Sequence, residues 1–183
     1  MSDVTNSTKN RWAVFLTSKA PVRPSSLQIL TGFAGGMLSI SILAFLAGFY
    51  RVPLIMAPFG ATCVLLYALP ESPLAQPGSV IGGHLLSTFI GLAVFQLLGP
   101  GFWEMGLAVG LAIGLMQFTR TVHAPAGADP IVVFLAGGLS WSFLFTPVFI
   151  GSVALVAIAY VVNNTGTAKK WPKYWWLAYH IFL

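Results

Sequence analysis

The sequence predicts an all-α membrane protein: a small helical bundle with a two-fold internal repeat, three segments in each copy, the copies inverted, and two short broken helices among the six. Three observations predict it. Of 183 residues, 57% are hydrophobic and only 7% charged, and the mean hydropathy of +0.85 lies far outside the soluble average. The apolar residues fall in runs that reach or approach the 20 or so residues a helix needs to cross a hydrocarbon core about 30 Å thick. One short motif, Ala-Pro-x-Gly-Ala, occurs twice.

The long helical candidates are Leu27 to Tyr50, Val80 to Leu98, Phe102 to Phe118 and Phe145 to Val162. Two shorter apolar pieces, Val52 to Leu69 and Pro130 to Leu144, lie between them, each opened by proline and glycine. Laid out by composition, residues 1–24 are a basic cytoplasmic segment, 25–165 the transmembrane domain and 166–183 a basic aromatic tail. Within the domain one repeat covers about 27–98 and the other about 102–163.

The repeat rests on Ala57-Pro58-Phe59-Gly60-Ala61-Thr62 laid against Ala124-Pro125-Ala126-Gly127-Ala128-Asp129, with Val64-Leu65-Leu66-Tyr67 falling on Ile131-Val132-Val133-Phe134. Arg51 and Arg120 mark the ends of the preceding helices. Five extended residues after Arg51 reach about 16 Å, close to half the membrane. The motif then sits near the midplane, followed by a short helix from Cys63 to Leu69, and the second copy does the same from Pro130. Each copy makes three crossings, so the chain makes six. Four full crossings with two re-entrant segments is the competing arrangement.

Nine Lys and Arg stand against four acids, a net charge of +5. They do not form a nucleic-acid surface: Lys9, Arg11, Lys19 and Arg23 precede the first apolar run, and Lys169, Lys170 and Lys173 follow the last. Short cytoplasmic flanks collect such residues, so both termini are expected in the cytoplasm. Trp12 and the cluster Trp171, Tyr174, Trp175 and Trp176 read as interfacial anchors, as does His180. Glu71 in its proline turn and Glu104 at a helix start need only structural roles. The single cysteine, Cys63, excludes an internal disulfide and reads as packing.

Small residues recur every four positions at Gly32 and Gly36, at Gly83, Ser87 and Gly91, and at Gly106, Gly110 and Gly114. In lipid such spacing lets helix backbones approach closely, and it suits a homo-oligomer as well as the bundle itself. Pore lining is the second reading of these glycines.

Irregular backbone at membrane depth is tolerated only inside protein or beside a watery cavity. The two motifs are therefore the natural site. Helix starts carry free N–H groups and partial positive charge, a combination that favours a small anion. Pro58, Gly60, Ala61, Thr62, His123, Pro125, Gly127, Ala128 and Asp129 are the expected substrate-binding residues, with Thr62 and Asp129 as N-caps. Asp129 also reads as a transport carboxylate, and His84 with Asp129 as a proton relay. Paired catalytic carboxylates, metal clusters, phosphate-binding Gly-Lys loops and nucleophile elbows are missing, so neither enzyme activity nor a metal or cofactor is expected.

Four ordered motifs occur together: Ala57 to Ala61, Leu69-Pro70-Glu71-Ser72-Pro73-Leu74-Ala75-Gln76-Pro77, Ile81-Gly82-Gly83-His84, and His123 to Pro130. In these the sequence resembles the HPP family of membrane proteins over about residues 25–165. The family is named for His-Pro-Pro, whereas this chain has His123-Ala124-Pro125, an alanine replacing the middle proline. The resemblance implies four transmembrane helices and includes plastid members that transport nitrite. The expected function is transport or conduction of a small anion, nitrite first, by a multi-pass protein of the inner membrane in contact with its lipids. A proton- or cation-coupled carrier centred on Asp129 and a non-transporting membrane scaffold are the alternatives.

Overall fold

The structure is a computed structural model and describes residues 22–165 and 170–175. Lys9, Arg11, Trp12, Lys19, Lys169, Trp176 and His180, singled out in the sequence, lie outside the described residues. Among the described residues every regular element is helical.

Helix α1 (Ser26–Tyr50) opens on a capping box: the Ser25 hydroxyl accepts from the Gln28 N–H while the Gln28 side chain accepts from the Ser25 N–H. It ends at Arg51, which adopts a left-handed conformation with φ 54°. Residues 52–56 are irregular, and α2 (Pro58–Ala68) then starts on a proline whose fixed φ suits the first turn. A 3-10 turn, Pro73–Ala75, leads into α3 (Pro77–Leu98), also opened by proline. Gly99, at φ 85°, turns the chain into α4 (Phe102–Phe118), with Glu104 in its first turn.

Arg120 repeats the behaviour of Arg51, with φ 58° just past the end of α4. A 3-10 turn, Ala124–Ala128, runs straight into α5 (Asp129–Leu135). This second short helix stops well before the expected Leu144. Gly137 and Gly138 take φ values of 73° and 92°, which other residues rarely adopt, and so end it. A 3-10 turn (Trp141–Leu144) and a π turn (Phe145–Phe149) precede α6 (Ile150–Asn164).

Three helical stretches are long and apolar enough to cross a membrane: Ser26–Tyr50, Pro77–Leu98 and Trp141–Asn164. Pro58–Ala68, Phe102–Phe118 and Ala124–Leu135 are shorter apolar helices. Their outward side chains are strongly apolar, including Phe33, Phe45, Phe102, Trp103, Phe118 and Leu135, each more than half exposed. The buried set, by contrast, holds Ser39, Thr62, His84, Thr88, His123 and Asp129. A polar interior under an apolar exterior suits hydrocarbon as the surrounding medium.

The directions of α1, α2, α3 and α6 follow from contacts along the bundle. At the first, the Lys173 N–H donates to Gln76 Oε1 (2.8 Å), the Gly78 N–H to the Trp175 carbonyl (2.9 Å) and Asn163 Nδ2 to the Leu66 carbonyl (2.9 Å). Lys173 also pairs with Glu71 at 3.5 Å. A cleft of about 610 Å³ at this end is lined by Arg23, Leu27, Tyr67, Glu71, Lys170 and Lys173, which places the start of α1 there too. Deeper in the bundle Gly151 faces Phe59 and the Leu54 carbonyl, and at the other end Gly138 faces the Phe95 ring. The apolar core between α1, α2, α3 and α6 is built on Leu43, Phe59, Leu66, Val80, Val148 and Leu155. Cys63 is part of that core.

Candidate functional site

The site begins with what α3 lacks. A Cβ at position 83 would lie 2.7 Å from that of His123 and 2.8 Å from the Thr121 carbonyl oxygen, and one at position 91 would lie 2.8 Å from the Pro130 Cα. Glycine at both places lets residues 121–130 settle directly on the helix. Between them the Ser87 hydroxyl donates to the Ala126 carbonyl at 2.6 Å, an oxygen that also accepts from the Asp129 N–H closing the 3-10 turn, and so ties the turn to the helix. The Gly83, Ser87, Gly91 stripe is therefore a packing surface within the chain. Gly32, Gly36, Gly106, Gly110 and Gly114 have nothing within 4 Å of an added Cβ.

This close approach assembles a polar network. His84 Nδ1 lies 2.8 Å from Asp129 Oδ2, and Thr88, one turn further along α3, donates to the same oxygen at 3.2 Å. His84 Nε2 lies 2.9 Å from Thr62 Oγ1 on α2. The same hydroxyl oxygen lies 2.9 Å from His123 Nε2, and His123 Nδ1 lies 2.7 Å from the Leu74 carbonyl. The imidazole rings of His84 and His123 meet edge to face with centroids 4.8 Å apart, and the Phe59 ring closes the other side of His84 at 5.2 Å. Thr62, His84, Thr88, His123 and Asp129 are all fully buried.

His84 is seven residues beyond Pro77, or about 10 Å along a helix about 33 Å long. The network therefore lies well inside the bundle. Asp129 keeps one oxygen, Oδ1, with no hydrogen-bond partner. Among the described residues no three His, Cys, Asp or Glu side chains are grouped to hold a metal ion.

The expected substrate residues divide between two places. Thr62, His123 and Asp129 enter the network. Pro58, Ala61, Pro125 and Ala128 line an outward-facing groove of about 700 Å³ together with Ala57 and Ala124. Each of Ala57, Pro58 and Ala61 stands 67 positions before its counterpart across this groove. Gly60 is exposed and Gly127 partly so, and neither lines the groove.

Three local expectations are corrected. The first short helix starts at Pro58, not Cys63, so Gly60 lies inside it and its N–H already donates to the Ala57 carbonyl at 3.1 Å. Thr62 is one turn past the helix start, with Oγ1 3.2 Å from the Pro58 carbonyl, and caps nothing. Asp129 is the first residue of α5, yet its carboxylate turns to His84 and Thr88 and not to the backbone. A proline within the first turn removes one of the N–H groups a cap would serve. The imidazoles and hydroxyl of the neighbouring elements supply stronger partners.

Thr88 and the Leu74 carbonyl were not foreseen. His84, Ser87 and Thr88 do form a polar stripe at helical spacing in an otherwise apolar segment, the signal that could have found Thr88. Leu74 contributes only its backbone, which no side-chain pattern encodes.

A family model for the HPP transmembrane region matches residues 21–172. Two transmembrane proteins of Dictyostelium discoideum are each 32% identical, over 171 and 179 residues, covering 86% and 91% of this chain. The chain spans 54% and 62% of the length of these relatives. No solved structure matches it. The glycines that admit the second element, the Gly82-Gly83-His84 turn of α3 and the His123 to Pro130 segment it carries all lie within the matched span, and the chain belongs to the HPP transmembrane family.

Proposed function

We propose that this protein transports a small inorganic anion across the membrane together with a proton, nitrite being the substrate the family resemblance names first. One observation carries the reading: a fully buried His84–Asp129 pair joined through Thr62 to His123, where the two interrupted segments meet. An acid inside a membrane protein is costly and marks a pathway or relay far more often than a structural need. The Gly60 amide, once expected to hold the anion, is engaged. Positive charge at the site then has to come from an imidazole that gains a proton. Anion and proton would move together, electrically neutral.

The reading places the chain across the bilayer six times as two inverted copies. The reversal of direction between successive segments, the left-handed Arg51 and Arg120 and the matched residues of the groove support it. Inverted repeats that meet at broken helices are a recurrent transporter plan. Arg23, Lys170 and Lys173 at one end favour cytoplasmic termini and an inner-membrane setting. The open Gly106, Gly110 and Gly114 face of α4 suits a second copy of the chain.

Flux into liposomes, measured for nitrite, nitrate, formate and chloride with and without an inward proton gradient, tests the function. Uptake of nitrite driven by the gradient is expected; no flux of any anion overturns it. The unpartnered Asp129 Oδ1 favours a second reading, a cation-coupled carrier, for which a sodium or potassium gradient must replace the proton gradient as the driving force.

A further inference from the structure

Asp129, His84, Thr62, His123 and the Leu74 carbonyl form one continuous file of contacts at 2.8, 2.9, 2.9 and 2.7 Å, with Thr88 beside Asp129 and the Pro58 carbonyl beside Thr62. Each link needs one hydrogen. A carbonyl only accepts, so His123 Nδ1 carries a hydrogen and donates it to Leu74. The two remaining imidazole nitrogens, His84 Nε2 and His123 Nε2, both face the oxygen of Thr62, which owns a single hydrogen. Were both histidines neutral with their hydrogens on Nδ1, the hydroxyl could serve only one of them. The other contact would set lone pair against lone pair at 2.9 Å between fully buried groups. One Nε2 therefore carries a hydrogen.

We infer that Thr62 relays a proton between His84 and His123, and that Asp129, His84 and His123 together hold one proton more than two neutral imidazoles and a carboxylate would. Two arrangements with the Thr62 hydroxyl turned to an imidazole satisfy all four links of the file. In the first, His84 Nε2–H donates to Thr62, Thr62 donates to His123 Nε2, and one hydrogen lies between His84 Nδ1 and Asp129 Oδ2. In the second, His123 Nε2–H donates to Thr62, Thr62 donates to His84 Nε2, and His84 Nδ1–H donates to Asp129. Both contain three hydrogens on the three ionisable groups.

Passing from the first to the second breaks the N–H bond at His84 Nε2 as the Thr62 oxygen takes that proton. Thr62's own hydrogen leaves for His123 Nε2. The threonine ends as it began, a neutral hydroxyl, with its direction reversed. The Pro58 carbonyl, 3.2 Å from Thr62 Oγ1, offers the hydroxyl a third direction. Turned there, it accepts from both imidazoles and the file gains a fourth proton and a net positive charge, the form suited to an anion.

The surroundings leave this inventory undisturbed. On α2, Cys63 packs in the apolar core and the Tyr67 hydroxyl is bonded to Ser39. On α3, Ser87 is engaged with Ala126, and Thr88 donates to the Asp129 oxygen that His84 also contacts.

The inference rests on the same site as the proposed transport, but its test reads protons and not flux. Full-length protein carrying ¹⁵N-histidine in lipid nanodiscs, in a His180→Gln background, leaves two histidines to observe. At neutral pH one should carry hydrogen on Nε2 and the other be in fast exchange with it. Two imidazoles protonated on Nδ1 alone overturn the inference. Thr62→Val keeps the shape and removes the hydroxyl. It should abolish the exchange and lower proton-driven uptake by on the order of a hundredfold or more, while Thr62→Ser retains both. Should Thr62→Val fail to fold, the wild-type and Thr62→Ser spectra still decide. A three-proton file without anion flux counts against the transport reading alone, and a two-proton file with intact flux against this inference alone.

Discussion

His84 on α3 and Asp129 at the start of α5 meet at 2.8 Å with both side chains wholly buried, although 45 residues separate them in sequence. Removing one member of such a pair leaves the other without its partner in a medium that cannot solvate it. His84→Leu is expected to destabilise the protein by about 3–5 kcal/mol. The double variant His84→Leu with Asp129→Leu should recover much of that loss. Thermal unfolding of all four proteins in one detergent gives the cycle, and additive losses would show that the pair is not coupled.

Asp129→Asn keeps the shape of the carboxylate and an oxygen for His84 Nδ1–H, but it cannot ionise. The fold should survive. Nitrite uptake should lose its dependence on the proton gradient, measured as initial rate against external pH at fixed internal pH. An unchanged profile removes Asp129 from the proton path.

Gly83→Ala would set a methyl against the Thr121 carbonyl and His123, and Gly91→Ala another against Pro130. Each should cost about 1–3 kcal/mol, because backbone and not a flexible side chain has to move. Gly110→Ala and Gly114→Ala on α4 meet nothing within the chain. There the change should be neutral or stabilising by up to about 1 kcal/mol in monomeric protein. The same pair also probes self-association, since a loss seen only in the oligomeric fraction would place α4 at an interface between copies.

Cysteines introduced in a Cys63→Ser background at Glu71 and at Pro100 lie in turns at opposite ends of α3. An impermeant maleimide should label Glu71→Cys from the side that labels Lys173→Cys, and Pro100→Cys from the other. Labelling of Pro100→Cys from the side that labels Lys173→Cys, with Glu71→Cys reached only from the opposite side, would end the six-crossing arrangement in favour of four crossings with two re-entrant segments.

The long helices were legible because apolar runs and their boundary residues act locally. Phe102 to Phe118 was read to the residue, and Leu27 to Tyr50 to within one. The start of α2 was misplaced because Pro58 looked like part of the break, whereas the carbonyls of Met56 and Ala57 take up the next two amides and begin the helix at once. The end of α5 was missed where two glycines outweigh an apolar run. In the site, Thr62, His84, His123 and Asp129 were each singled out, but their partnership was not. Nothing along a chain says which turn of α3 will face which loop, and that depends on glycine at 83 and 91 admitting backbone from 40 residues away.

The shortness of α5 and the carboxylate at its head bear on how the molecule can be made. Seven residues opened by an acid would partition poorly into lipid by themselves, since an Asp at mid-membrane costs about 2.5–3.5 kcal/mol during insertion. The imidazole that relieves this cost sits on α3, which the ribosome delivers earlier. Synthesis from the N-terminus thus puts the receptor for Asp129 in place before the acid arrives. A chain permuted to begin at α4 would have to insert its acid with no receptor waiting.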